Sequence, residues 1–148
     1  MKKFFYLAMM AFVALGITAC GDDKNETPSG TNALKGTEWV YAESEDETED
    51  GVTYTLNLTA TLKFTTVSNG SLDIYMDVVV GGQSVYNTSD VQEFTYTYDG
   101  NGHGTMTNVD EEDGTTSTIP FTINGNELTI SDIDEDTGET LQIVFTRK

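Results

Sequence analysis

From Leu34 to the end of the chain, apolar and polar residues alternate with period two, and no stretch sustains a helical period. The clearest run is Val52–Phe64, with apolar residues at every even position and polar ones at every odd position. That is the pattern of a strand with one wet face. The run is longer than an ordinary strand of roughly five or six residues, which implies one long bent strand or two joined by a bulge. Turn signals divide the rest: Asn69-Gly70, Gly81-Gly82, Asp99 to Gly102, Asp113-Gly114, Asn124-Gly125 and Asp134 to Gly138. Between them lie Leu72 to Val80, a weak segment at Val85-Tyr86, Phe94 to Tyr98, His103 to Val109, Ile119 to Ile123, Leu128-Ile130 and Leu141 to Phe145. Asn-Gly and Asp-Gly suit tight hairpins because the type I′ turn needs positive φ. Segments this short and this tightly joined meander as antiparallel neighbours. Pro120 falls inside one of them and marks an edge, a bulge or a strand start.

An amphipathic meander of eight to ten strands buries its apolar face by rolling into a barrel or folding over as a sandwich. The chain ends favour the barrel. Trp39 lies near the start of the first strand and Arg147 near the end of the last, on the face of Leu141, Ile143 and Phe145. In a closed up-and-down barrel of even strand number those two points share a rim. An arginine over an indole gains about 0.5–2 kcal/mol of cation–π energy.

The first residues read differently. Met1-Lys2-Lys3 is basic, Phe4 to Ala19 is an uncharged run, and Ile17-Thr18-Ala19-Cys20 closes it. A basic start, a short apolar stretch and small residues at the end make an export signal, too short to be a good membrane span. Its ending resembles the lipobox of bacterial lipoproteins, in which a small residue precedes a cysteine that is lipidated and becomes the mature N-terminus. The resemblance implies a signal peptide over 1–19, lipidation of Cys20 and stable attachment by more than one acyl chain. Cys20 is the only cysteine, which removes disulfide and thiolate-cluster readings. Residues 20–33 are rich in Gly, Pro, Ser, Thr and Asn, the composition of a flexible spacer. The pair Asp22-Asp23 resembles a signal by which some Gram-negative bacteria export lipoproteins to the cell surface. It implies an outer-membrane location with the domain turned outward. Residues 34–148 are then one tethered domain with a single core.

Charge narrows the partners. Removing Lys2 and Lys3 with the signal leaves five basic residues against 25 acids, a formal net charge of −20. Such a surface repels nucleic-acid phosphates and anionic headgroups, so a nucleic-acid partner is not expected. It favours solubility, and it attracts cations and basic proteins.

Leu34-Lys35-Gly36-Thr37-Glu38-Trp39 resembles the opening strand of lipocalin-like (calycin) domains, whose Gly-x-Trp packs its Trp at the barrel floor beneath a basic residue of the last strand. The spacing here is Gly-x-x-Trp, a departure from that pattern. The ending Phe121 to Ile130, then Leu141 to Arg147, also resembles small lipocalin-like bacterial lipoproteins. The resemblance implies an all-β, up-and-down barrel of eight to ten strands, with Gly36, Trp39 and Arg147 closing it. It implies a fold rather than a ligand.

Candidate chemistry is thin. Asp132, Asp134 and Asp136 alternate before Gly138 as in a calcium loop. The glycine is one position late, however, and Ile143 stands where the bidentate Glu belongs. An acidic hairpin loop or a low-affinity calcium site both fit, and no other cofactor is indicated. Glu43 to Asp50 carries six acids in eight residues and reads as an extended, solvated loop, as does Asp110 to Asp113. His103 is the only histidine, set between two glycines, and reads as a turn residue because no nucleophile motif accompanies it. Tyr54, Phe94, Tyr96, Tyr98 and Trp39 either line a cavity or fill the interior. The expectation is a membrane-anchored, non-catalytic binding or accessory domain whose partner is a small hydrophobic ligand or a cationic protein. The alternative is an acidic inhibitor or scavenger of cationic proteins.

Overall fold

The computed structural model describes residues 34–109, 115–133 and 140–148. They form eight antiparallel strands in a meander that closes on itself. The strands are β1 (Thr37–Glu49), β2 (Val52–Phe64), β3 (Asn69–Val80), β4 (Gln83–Tyr98), β5 (His103–Val109), β6 (Thr116–Asn124), β7 (Glu127–Ile133) and β8 (Thr140–Arg147). The fold is therefore the all-β barrel expected from the alternation, with eight strands. It is compatible with a lipocalin-like architecture.

The run Val52–Phe64 is one continuous strand, paired with β1 and β3 without a register shift. Its alternation puts Leu58, Ala60, Leu62 and Phe64 inside, each at most 4% exposed. Phe64 anchors an aromatic cluster, meeting Tyr96 edge-on at 4.7 Å, Phe94 at 5.8 Å and Phe121 at 5.8 Å between ring centroids. Tyr96 sends its hydroxyl to the Thr66 carbonyl at 2.8 Å, so the buried ring keeps a partner for its polar end. Trp39, Leu128, Ile130, Ile143 and Phe145 complete this core. The buried aromatics thus fill the interior at one end.

Glycine makes room for two of those rings. A methyl at Gly70 would overlap the Phe94 ring and the Lys63 carbonyl, and one at Gly104 would overlap the Phe121 ring and the Thr97 carbonyl.

Two expectations fail in an instructive way. Glu43 to Glu49 is not a solvated loop but the second half of β1, paired residue by residue with Val52 to Leu58. The turn is only Asp50-Gly51, both at positive φ (52° and 80°), the conformation of a type I′ hairpin. A well-patterned β2 and a strong turn hold the acidic segment extended despite its charge. Likewise Val85-Tyr86 and Phe94 to Tyr98 belong to one strand, β4, whose only irregularity is a bulge opposite Val78/Val79.

Among the described residues, the shortest seams of the closed barrel lie toward the Trp39 end. β1 pairs with β8 at Trp39 and Val40 alone. β4 pairs with β5 over Thr95–Tyr98 alone, and β6 with β7 over Phe121–Asn124 alone. Among the described residues these three seams go no further, which leaves β1 to β4 as a four-stranded tongue beside the hairpins β5–β6 and β7–β8. Pro120 sits where β6 has left β7 and keeps only β5 beside it, opposite Thr105. A residue without an N–H is tolerated at such an edge.

Candidate functional site

The closed end begins with a short turn. Gly36, at φ +81°, donates its N–H to the Phe64 carbonyl at 2.7 Å. Thr37 Oγ1 donates to the Leu34 carbonyl at 2.7 Å and accepts the Trp39 indole N–H at 2.9 Å. Trp39 is 1% exposed, and the Arg147 guanidinium lies 5.7 Å from its ring centroid. Lys148 donates its N–H to the Glu38 carbonyl at 3.0 Å and brings its ammonium within 3.4 Å of the Glu38 carboxylate. The three closure residues singled out in the sequence therefore gather at one rim, where they serve structure.

At the opposite end the tongue presents a concave face. Glu43, Glu45 and Glu47 stand on it in a row along β1, directly opposite Leu58, Leu56 and Tyr54 of β2. The next strand adds Met76, Val78 and Val80, and β4 contributes Tyr86, Thr88 and Asp90. Residues two apart on a strand lie about 7 Å from each other. The result is an apolar floor, half-exposed from Leu56 to Val80, with a column of carboxylates along one margin. Past Val40, β2 is the only strand neighbour of β1 among the described residues, so this margin is also a sheet edge.

Two tyrosines tie the column down. Tyr41 hydrogen-bonds to Glu43, and Tyr54 donates to Glu47 Oε2 at 2.8 Å. Burial, the hydrogen bond to Glu43 and the charges of Glu43 and Glu45 push the Tyr41 phenol well above its ordinary range. The hydrogen bond to Glu47, with a smaller contribution from burial, raises Tyr54 as well. Both hydroxyls stay protonated and donate, which fixes the carboxylates at the two ends of the row.

Between β4 and β5 a cleft of about 50 Å³ reaches the core, lined by Leu72, Phe94, Met106, Ile119 and Ile130 with Gln92, Asn108 and Ser117. That is space for a few waters.

Other sequence candidates fall elsewhere. Cys20 and the spacer lie outside the described residues, as do Asp134 and Asp136; Asp132 pairs with Leu141 through β7 and β8. Among the described residues no three His, Cys, Asp or Glu side chains gather into a metal-binding group. His103 opens β5, exposed, and its N–H donates to Asp99 Oδ1 at 3.0 Å. The glutamate column is what the sequence reading missed. Its signal was the strict alternation Glu43, Glu45, Glu47 against Ser44, Asp46, Thr48, hidden by the density of charge.

No protein-family model, no curated protein and no solved structure matches the chain. Fold and surface alone define its class: a closed, eight-stranded antiparallel barrel whose β1–β8, β4–β5 and β6–β7 seams are short among the described residues.

Proposed function

We propose that this chain is a tethered, non-catalytic binding module of lipocalin-like build, a bacterial lipoprotein held at the outer membrane through Cys20. Its four-stranded tongue takes up basic polypeptide segments along β1. The observation that carries this reading is the coincidence of a sheet edge and a carboxylate column on the same strand. An extended peptide can add to a strand edge through main-chain hydrogen bonds while alternate side chains supply specificity. Lysine or arginine at every second position would meet Glu43, Glu45 and Glu47 in register, and apolar stems would lie over Leu56 and Leu58. The net charge steers basic partners toward the module from a distance.

The described chain begins at the closed end, so in this reading the β1 edge lies at the end of the domain far from the anchor. The narrow cleft between β4 and β5 favours a polypeptide over a lipid as the partner. The acidic scavenger and the binding module become one function in this arrangement.

The test is titration of the full chain with an alternating Lys-Val peptide and with its Glu-Val counterpart. The basic peptide should bind, and the acidic one should not. Glu43→Gln, Glu45→Gln and Glu47→Gln together should weaken binding about tenfold, from roughly 0.2–1 kcal/mol per exposed ion pair. Equal binding of both peptides, or none by either, would remove the proposal and leave the glutamates as guards of an edge.

A further inference from the structure

The tongue has a second margin, and it differs from the first in every respect that matters for association. Beyond Val91 toward the β3–β4 turn, β3 is the only strand neighbour of β4 among the described residues. The β1 margin carries Glu43, Glu45, Asp46, Glu47 and Glu49, whereas Gln83–Val91 carries the single acid Asp90. This stretch has no lysine, proline or glycine to blunt it as an edge, and its protection is limited to the bulge at Val85 and the inward-facing Asp90. Val85 and Val91, each 61% exposed, and Tyr86 at 55% are among the most exposed large apolar side chains of the described residues.

We infer that the β4 margin, Gln83–Val91, is a self-association surface on which a second copy of this chain pairs antiparallel, edge to edge. Charge points to where two like copies can meet. Chains of formal charge −18 repel each other over most of their surface, and a nearly uncharged edge is where that repulsion is least. The sequence is also complementary to itself. With a two-fold axis at Thr88, Tyr86 of each copy stands opposite Asp90 of the other, and Val91 comes beside the bulged Val85. Cross-strand side-chain contacts of this kind stabilise an antiparallel ladder. The acids of the β1 margin deny the same pairing there, so association closes at two copies rather than growing into a filament.

Cross-linking tests both the surface and the register. In the full chain carrying Cys20→Ser, Thr88→Cys supplies the only thiol and places it opposite its own copy. Antiparallel partners sit about 4.5–5.5 Å apart at Cα, within the span a disulfide bridges. Mild oxidation should give a covalent dimer from Thr88→Cys and not from Asp46→Cys on the acidic margin. Adding Val91→Lys should lower the cross-linked fraction about tenfold through loss of two apolar contacts, while Val144→Lys, on the outer face of β8, should leave it unchanged. Added salt should strengthen the dimer, because it screens repulsion between copies. Equal cross-linking at positions 46 and 88, or a monomer by sedimentation at every concentration and salt, would overturn the inference.

Discussion

Trp39 and Arg147 are register partners across the β1–β8 seam, and the guanidinium of one lies 5.7 Å from the ring centroid of the other. The seam has only two residue pairs, so its strength comes from side chains. Trp39→Ala should cost about 3–5 kcal/mol, the range for a large buried aromatic. Arg147→Ala should cost about 0.5–1 kcal/mol, because the arginine is exposed and its gain is the cation–π contact. Thermal unfolding checks both. Emission from Trp39, the sole tryptophan, should be blue-shifted in the folded state and move to the red on melting.

Gly104→Ala and Gly70→Ala should each destabilise by about 1–3 kcal/mol, as overpacking does. The cause is the overlap with a ring and a backbone carbonyl, Phe121 and Thr97 at Gly104 or Phe94 and Lys63 at Gly70, and not φ. A compensating Phe121→Leu beside Gly104→Ala should recover part of the loss, and a denaturant midpoint series would show it. Additive losses would mean that the glycine and the ring are independent.

The strand plan was largely legible because a strand with one buried face advertises itself. Val52–Phe64 did so, and the alternation of Leu72 to Val80 marked its partner β3, although Asn69-Gly70, expected as the turn, is the start of that strand. The second half of β1 and the first half of β4 did not, for a common reason. Their inward faces are open, so no apolar alternation marks them, and pairing is imposed by β2 and β3. The meeting of Trp39 and Arg147 was readable from position and parity. The glutamate column was not, since the same residues satisfy the composition of a loop. Charge density conveys repulsion but not the neighbour that overrides it.

Asp99 gives a pH dependence of definite sign. Its carboxylate accepts the N–H groups of Asn101 at 2.7 Å and His103 at 3.0 Å across the β4–β5 turn. Those backbone donors, chiefly His103 and then Asn101, hold it below the ordinary carboxylate range. A depressed value means stabilisation that is present above the unfolded pKa and lost as pH falls through the folded one. Asp99→Ala should therefore lower Tm at neutral pH. The gap to the parent should close on acidification below the usual carboxylate range, as paired melting curves will show.

Tyr41 behaves in the opposite sense. Burial and the Glu43 hydrogen bond favour the neutral phenol, so its contribution is full below the ordinary tyrosine value and lost only as pH rises through the raised one. In a phenolate absorbance titration Tyr41 should ionise in a late step, above the ordinary tyrosine range. Tyr41→Phe should delete that late step, and Glu43→Gln should bring it earlier.

The short seams and the long β1–β2 hairpin have a mechanical meaning. A tether upstream of Leu34, as proposed, would pull along the axis of β1, at the end where β8 pairs with Trp39 and Val40. Thirteen register pairs join β1 to β2, and a pull in that direction loads them together in shear instead of one at a time. Under such a pull the β1–β2 hairpin would be the part that resists, and the two-pair β1–β8 seam the weak latch that opens first.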